Sequence, residues 1–340
     1  MQLTTTGKIL VGLVIAALLG FSYYKFAPEK GQIAQTESTY KAPEPSTSES
    51  SASSSASSGN STSSDNAATA SNSATFDYTA PAPVDGKLKG VVELGASGFN
   101  SFMVTIDKQK NWKLEKAEFG NSLVMENMAT DDDIRIGLKK YIAGMLDFGV
   151  AGKNIHFVVS SGAMKSEVTG KIINVLKKMS YTVNTVTPQE EGTFGLKCVL
   201  PPSYASNSFV ADIGSGNTKI SWKDGGSITS VEGTGSKYFE KGMTDDAVAT
   251  EIAGKAKQIP ASKTKTCFII GGVPFDLAKE VRNGKERYTV LKAPADYKSE
   301  KAKTKAGINI YKSLAESTGC KQFVFDWDAN FTIGFLLGLP

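Results

Sequence analysis

The sequence predicts an α/β protein built of two successive halves, preceded by a membrane anchor and an unstructured linker. Beyond Asp85, short runs with β-type alternation interleave with longer runs of helical period. Two of the β-type runs, "KGVVELGASGFNSFMVTID" and "NSFVADIGSGNTKISWKDGG", are broken by a glycine turn and lie about 120 residues apart, so the second half restarts the plan of the first. Ahead of both stand an uncharged apolar stretch and a long serine-rich one. These features divide the chain into a transmembrane anchor (1–26), a disordered Ser/Ala/Pro-rich linker (27–84) and two α/β subdomains (85–206 and 207–340).

The anchor is "ILVGLVIAALLGFSYY", residues 9–24, which lies between Lys8 and Lys25 and ends in a tyrosine pair suited to the headgroup interface. Gly20 and Ser22 have the size a signal peptidase requires, but Phe21 and the tyrosines around them favour an uncleaved anchor, and no lipobox cysteine follows. Lys25, Lys30 and Lys41 outnumber Lys8 and the terminal amine, which opposes the orientation expected of a short cytoplasmic tail. The short tail favours a single-pass cell-membrane protein with its soluble part on the extracytoplasmic, periplasmic side. Residues 28–83, with text such as "STSESSASSSASSGNSTSS", are too poor in apolar side chains to offset the entropy of ordering. As a random coil, such a tether has an end-to-end distance of about 40 Å.

In the first half, "KGVVELGASGFNSFMVTID" reads as strand, glycine turn, strand. "DDDIRIGLKKYIAGMLDFGV" reads as an acid-started amphipathic helix, "NIHFVVSSGA" as a buried strand, "SEVTGKIINVLKKMSY" as a helix and "TVNTVTP" as a strand. The second half offers its own strand–turn–strand, a helix over residues 244–257, the strand "TCFIIGGV", a helix over residues 307–317, the strand "QFVFDWD" and a closing apolar helix.

Composition excludes several classes of function. The net charge of +4 comes almost wholly from lysine, since only Arg135, Arg282 and Arg287 are arginines, and no basic run interleaves with aromatics as a nucleic-acid groove requires. Cys198, Cys267 and Cys320 are far apart and odd in number, which suits buried small hydrophobes rather than a disulfide framework or thiolate metal site. His156 is the only histidine, so neither a Ser/His/Asp triad nor a polyhistidine zinc site can be built.

A glycine turn between strands lets backbone N–H groups and small hydroxyls approach a phosphate with no Cβ in the way. Gly95, Ala96, Ser97 and Gly98 form the first such turn; Gly214, Ser215, Gly216, Asn217 and Thr218 form the second, with Asp212 before it to hold a hydrated cation. Each turn alone has the composition of an ordinary β-hairpin. The pair, with an acid at the mouth of one, suggests a cleft that grips phosphates from both sides.

These segments resemble, in order, the exopolyphosphatase and guanosine pentaphosphate phosphatase family, Ppx/GppA, of the actin-like ATPase superfamily (sugar kinases, Hsp70, actin; ribonuclease H-like). "VVELGASGFNSFMV" is similar to its first phosphate loop, of Asp-Leu-Gly-Ser-Asn-Ser type, and "FVADIGSGNTKISWKDGG" to its second, Asp-Ile-Gly-Gly-Gly-Ser-Thr. "EFGNSLVMENMATDDDIRIGLKKYIAGMLDFGV" resembles the Leu-Gly-Glu-Gly-Leu segment and its helix, "VVSSGAMKSEV" the Ala-Thr-Ser-Ala-Leu-Arg strand end, and "VNTVTPQEEGTFGLKCV" the Ser-Gly-x-Glu-Glu-Ala stretch. "GTGSKYF" and "CFIIGGVPFDLAKEV" resemble the family's later turn and its Gly-Gly-Thr helix opening.

The resemblance implies a two-domain actin-like fold with an inter-domain cleft and a phosphohydrolase that cleaves phosphoanhydrides of polyphosphate or a nucleotide polyphosphate with Mg²⁺ or Mn²⁺. Glu191, with its neighbour Glu190, falls at the catalytic carboxylate; Lys165 falls at the family's phosphate-binding Arg, and Glu93 at the first loop's metal-holding Asp. The chain departs from the pattern at Glu93, one methylene longer than Asp, at Ala96–Gly98, which lose donors, and at Lys165, which cannot clamp a phosphate bidentately as Arg does. Two readings therefore stay open: a membrane-tethered phosphohydrolase, or a catalytically weakened actin-like domain that binds or senses a phosphorylated ligand or a protein partner. A structural domain with an empty cleft is a third.

Overall fold

The computed structural model describes residues 76–95, 98–120 and 130–340. The expected anchor and most of the linker lie outside the described residues, as do Ala96, Ser97 and residues 121–129 of the Leu-Gly-Glu-Gly-Leu-like segment. Among the described residues, no helix is long and apolar enough to cross a membrane.

Two sheets carry the fold. The first has five strands, β1 (Lys87–Gly95), β2 (Gly98–Ile106), β3 (Trp112–Phe119), β4 (Ile155–Val159) and β5 (Val183–Thr185), in the order β3-β2-β1-β4-β5. The second has six, β6 (Ser208–Ile213), β7 (Asn217–Asp224), β8 (Ser227–Thr234), β9 (Thr266–Ile270), β10 (Tyr288–Val290) and β11 (Gln322–Asp326), in the order β10-β11-β9-β6-β7-β8. Each sheet contains an antiparallel meander, β1-β2-β3 or β6-β7-β8, whose first strand also pairs in parallel, with β4 or β9. The restart anticipated from the two glycine turns is present.

Period-2 alternation on the strands separates the cores. Val92, Leu94, Met103, Phe157 and Val159 face helices α1 (Asp131–Asp147) and α2 (Glu167–Lys178) on the outside of the first sheet. Phe209, Ala211, Ile213, Ile220, Trp222 and Ile269 face α4 (Asp245–Ala256), α5 (Gly272–Lys279) and α6 (Ala302–Thr318) on the outside of the second. The opposite faces share one core: Val91, Phe102 and Val158 from the first sheet and Val210, Phe268 and Val324 from the second enclose α3 (Pro188–Val199) and α7 (Phe331–Gly338). Each of these two helices crosses over. The helix that ends the first half, α3, packs on β6, β7 and β8, and the helix that ends the second, α7, packs on β1 and β2.

The helix starts follow from capping chemistry. Thr130 caps α1 and Thr187 caps α3, each in a reciprocal capping box with the residue three positions on, Asp133 and Glu190. Thr244 caps α4, and Asn330 caps α7. The helix expected over residues 307–317 starts five residues earlier, at Ala302, since Lys301 supplies no side-chain cap that sequence could mark.

Residues 76–84, assigned to the linker from sequence, lie against the two sheets. Phe76 lies 5.1 Å from Tyr204, 5.3 Å from Tyr288 and 5.5 Å from Phe268, ring centroid to ring centroid. The Val84 N–H then donates to Asp107 Oδ2 at 3.1 Å. The segment before β1 is thus pinned to the second sheet and then to the first. Two aromatic side chains, Phe76 and Tyr78, in otherwise serine-rich text are the signal that marks it.

The close approach of α3 and α7 depends on Gly334, where a Cβ would fall on the Phe194 carbonyl. Gly334→Ala is expected to force the helices apart and cost about 1–3 kcal/mol, the range for overpacking a core, as measured by urea unfolding of the parent and variant.

Candidate ligand-binding cleft

A cleft of about 310 Å³ opens between the two sheets at the C-terminal ends of β1, β4, β6 and β9, where ligands bind in open α/β sheets. Gly95 and Gly98 line one side, and Gly214, Ser215, Gly216 and Asn217 the other. The described glycines of the two turns therefore face one cavity; Gly95 pairs with Gly98, and the Gly214 N–H donates to the Asn217 carbonyl at 3.1 Å. The second turn is clamped from behind by "GTGSKYF": the Ser236 and Lys237 N–H groups donate to the carbonyls of Gly214 and Ser215 at 2.9 and 3.0 Å.

The carboxylates gather on the floor. Asp212, Glu93 and Glu191 all line the cleft. Glu191 reaches it because the capping box fixes the rotation of α3: Glu190 folds back to Thr187, accepting its N–H at 2.8 Å, and the next residue turns inward. Gly192 then allows α3 to lie against β7 and β8, since a Cβ there would collide with Ser221 and Ser230. Glu191 is 3% exposed and Glu190 is exposed at the cap, so the structure separates the two neighbours: one lines the cleft, and the other holds a helix end.

Two other residues expected here lie elsewhere. Lys165 ends a short 3₁₀ turn, exposed, and does not line the cleft. Thr218 is fully buried on the far face of β7, where its hydroxyl donates to the Thr234 carbonyl at 2.8 Å.

The structure adds residues that sequence reasoning passed over. Lys219, 3% exposed, forms an ion pair with Glu191 and lies 3.6 Å from Asp212 Oδ2. The Ser161 N–H and hydroxyl both donate to Glu191 Oε2, at 3.0 and 2.5 Å, and Asn217 Nδ2 donates to the Ser161 hydroxyl at 2.9 Å. Asn100 and Asn330 each donate an amide N–H to Glu93 Oε2, at 3.0 and 2.9 Å. One signal for Lys219 was available: a hairpin turn at Gly214–Asn217 sets Asp212 directly opposite Lys219 in the β6–β7 register.

Burial dominates the titration of this cluster. It pushes the Glu93 carboxyl up to about 7, against the two amide hydrogen bonds and with help from the charges of Glu191 and Asp212. It raises Asp212 too, with Lys219 opposing and Glu191 adding to the rise. Burial alone would lower Lys219, but the facing Asp212 and Glu191 carboxylates outweigh it and hold the ammonium charged, above its ordinary value.

A divalent cation does not fit this donor set. Asp212 and Glu191 already face an ammonium, Glu93 accepts two amide hydrogens on one oxygen, and among the described residues no three His, Cys, Asp or Glu side chains converge as a metal cage.

No protein-family model matches the sequence, and no curated protein does. Solved structures do match. A Ppx/GppA family member from Aquifex aeolicus is similar at a TM-score of 0.54 and 17% identity, over 74% of this chain and 97% of that one. An exopolyphosphatase from Cytophaga hutchinsonii is similar at a TM-score of 0.58 and 13% identity, over 74% of this chain and 96% of that one. The likeness is one of fold: the chain has the two-part α/β architecture of the Ppx/GppA structures.

Because the fold favours a protonated Glu93, its contribution to stability is full below about pH 4.5 and is lost as pH rises through about 7. Glu93→Gln keeps an acceptor for Asn100 and Asn330 without the charge. Thermal unfolding should show the variant close to the parent near pH 5 and more stable by about 2 kcal/mol near pH 8.

Proposed function

We propose that the protein is a membrane-tethered module that binds a phosphorylated small molecule between its two glycine turns and does not hydrolyse it. The observation that carries this reading is the state of Glu191. A general base needs a lone pair directed at the attacking water. Here one oxygen accepts two hydrogen bonds from Ser161 and the other is paired with the buried ammonium of Lys219. Activating water would require breaking a buried ion pair, which typically costs about 3–5 kcal/mol when one partner is removed.

The ligand chemistry follows from the two walls. Glycine turns bring backbone dipoles close to a phosphate chain. Facing them, Phe119, Phe275 and Trp327 line the same cleft, and Phe119 and Phe275 approach across it to 6.1 Å between ring centroids. A flat organic group can stack there, so a nucleoside polyphosphate suits the cleft better than a linear inorganic polyphosphate. The anchor over residues 9–24 would hold this binding domain on the extracytoplasmic face, where ligand-dependent closure could be passed to a protein partner.

Calorimetry on the full-length protein should detect binding of a nucleoside triphosphate, with inorganic triphosphate binding more weakly. Phosphate release in the presence of Mg²⁺ should stay at the level of Glu191→Gln. Turnover by the parent that Glu191→Gln abolishes would restore the phosphohydrolase reading.

Affinity should also rise as pH falls through about 7, because protonating Glu93 removes a negative charge facing the anion. Comparing the parent with Glu93→Gln cancels the ligand's own titration; the rise should flatten in the variant.

A further inference from the structure

Lys219 places a positive charge on the cleft floor between two carboxylates that arrive from different parts of the chain, Asp212 at the end of β6 and Glu191 in α3. Its position is fixed twice. The β6–β7 register sets it opposite Asp212, and the seating of α3 on β7 and β8 brings Glu191 onto the same ammonium. The side chain is 3% exposed, so the ammonium is held out of bulk water under α3.

A divalent ion binds carboxylate oxygens at about 2.0–2.6 Å. At Asp212 it would meet the ammonium already 3.6 Å from the same carboxylate, and two cations that close repel strongly in a low-dielectric interior. The acidic floor still needs a counter-charge before a phosphate chain can approach it, and Lys219 supplies one that cannot diffuse away.

We propose that the Lys219 ammonium stands in the place of a divalent cation, so that the cleft takes its phosphate compound without metal. The identity of the ligand rests on the reading above; the role of the ammonium does not.

The test uses Mn²⁺ alone, titrated into the full-length protein and followed by its EPR signal. The parent should show no saturable site in the cleft. Lys219→Met leaves Asp212 and Glu191 facing each other with no counter-charge, and it should gain about one Mn²⁺ per chain, lost again when Asp212→Asn is added. Lys219→Gln serves the same purpose if the methionine variant does not fold.

A second arm needs no lysine variant. Asp212→Asn should tighten the binding of inorganic triphosphate by about fivefold to tenfold, alike in EDTA and in Mg²⁺, because it removes a negative charge from a site that uses no metal; at a metal-dependent site the same change weakens binding in Mg²⁺. The proposal is overturned if the parent holds one Mn²⁺ that Asp212→Asn removes, if a folded Lys219 variant gains no Mn²⁺, or if Asp212→Asn weakens triphosphate binding. A cleft that binds no phosphate compound, with the Mn²⁺ results as expected, would sink the ligand reading and leave the ammonium's role standing.

Discussion

The buried ion pair of Lys219 and Glu191 decides how the middle of the molecule is arranged. An ammonium and a carboxylate, each 3% exposed, are tolerable only when their remaining hydrogen-bonding capacity is met. Ser161 meets that of Glu191 from the loop after β4, and Asp212 shares the ammonium from β6. Asn217 completes the set, with its amide donating to both Ser161 and Glu232. The first half is therefore bound to the second through charge and amide contacts at the cleft floor, and α3 cannot slide on its sheet without stranding a charge. The crossing of α3 and α7 provides the same link in apolar form, one layer further from the opening.

Most of the architecture was legible because it rests on periodic text. The first two strands of each meander, the helices α1, α2, α4 and α7 and the repeated plan follow from alternation and from polar caps and acids at helix starts, whereas β3 and α3 were not foreseen. Element limits were harder where no side chain marks them, as at the uncapped start of α6. The pinning of Phe76 could not be deduced locally, since it depends on three aromatic residues more than a hundred positions away.

The site was legible in part, for a specific physical reason. In "NTKISW" the residues Asn217, Lys219 and Ser221 alternate with Thr218, Ile220 and Trp222, a pattern that normally marks one wet face and one dry one. Here α3 covers the polar face, and all three of its residues are buried. A covered polar face is invisible in one strand's text; it appears only when the helix that covers it carries a matching acid. Glu190 and Glu191 likewise look equivalent in sequence, and only the capping geometry separates a helix-end residue from a cleft residue. Asp212 and the glycines of the turns line the cleft because each hairpin that carries them is a local unit of sequence. Lys219 was missed because its role comes from the helix packed over it.

The attachment of the chain ahead of β1 has a mechanical consequence. A pull on the chain from its N-terminal side reaches the Phe76 aromatic cluster on the second sheet first, and then the Val84 contact to Asp107 on the first. Only after both give way does load reach β1, which is paired along its length with β2 on one side and with β4 on the other. Load along such a strand acts in shear on many backbone bonds at once, whereas rings packed on a surface peel away singly. The aromatic cluster and the Val84 contact therefore stand between the N-terminal chain and the sheet that carries Glu93, so a load has to undo them before it can act on that sheet.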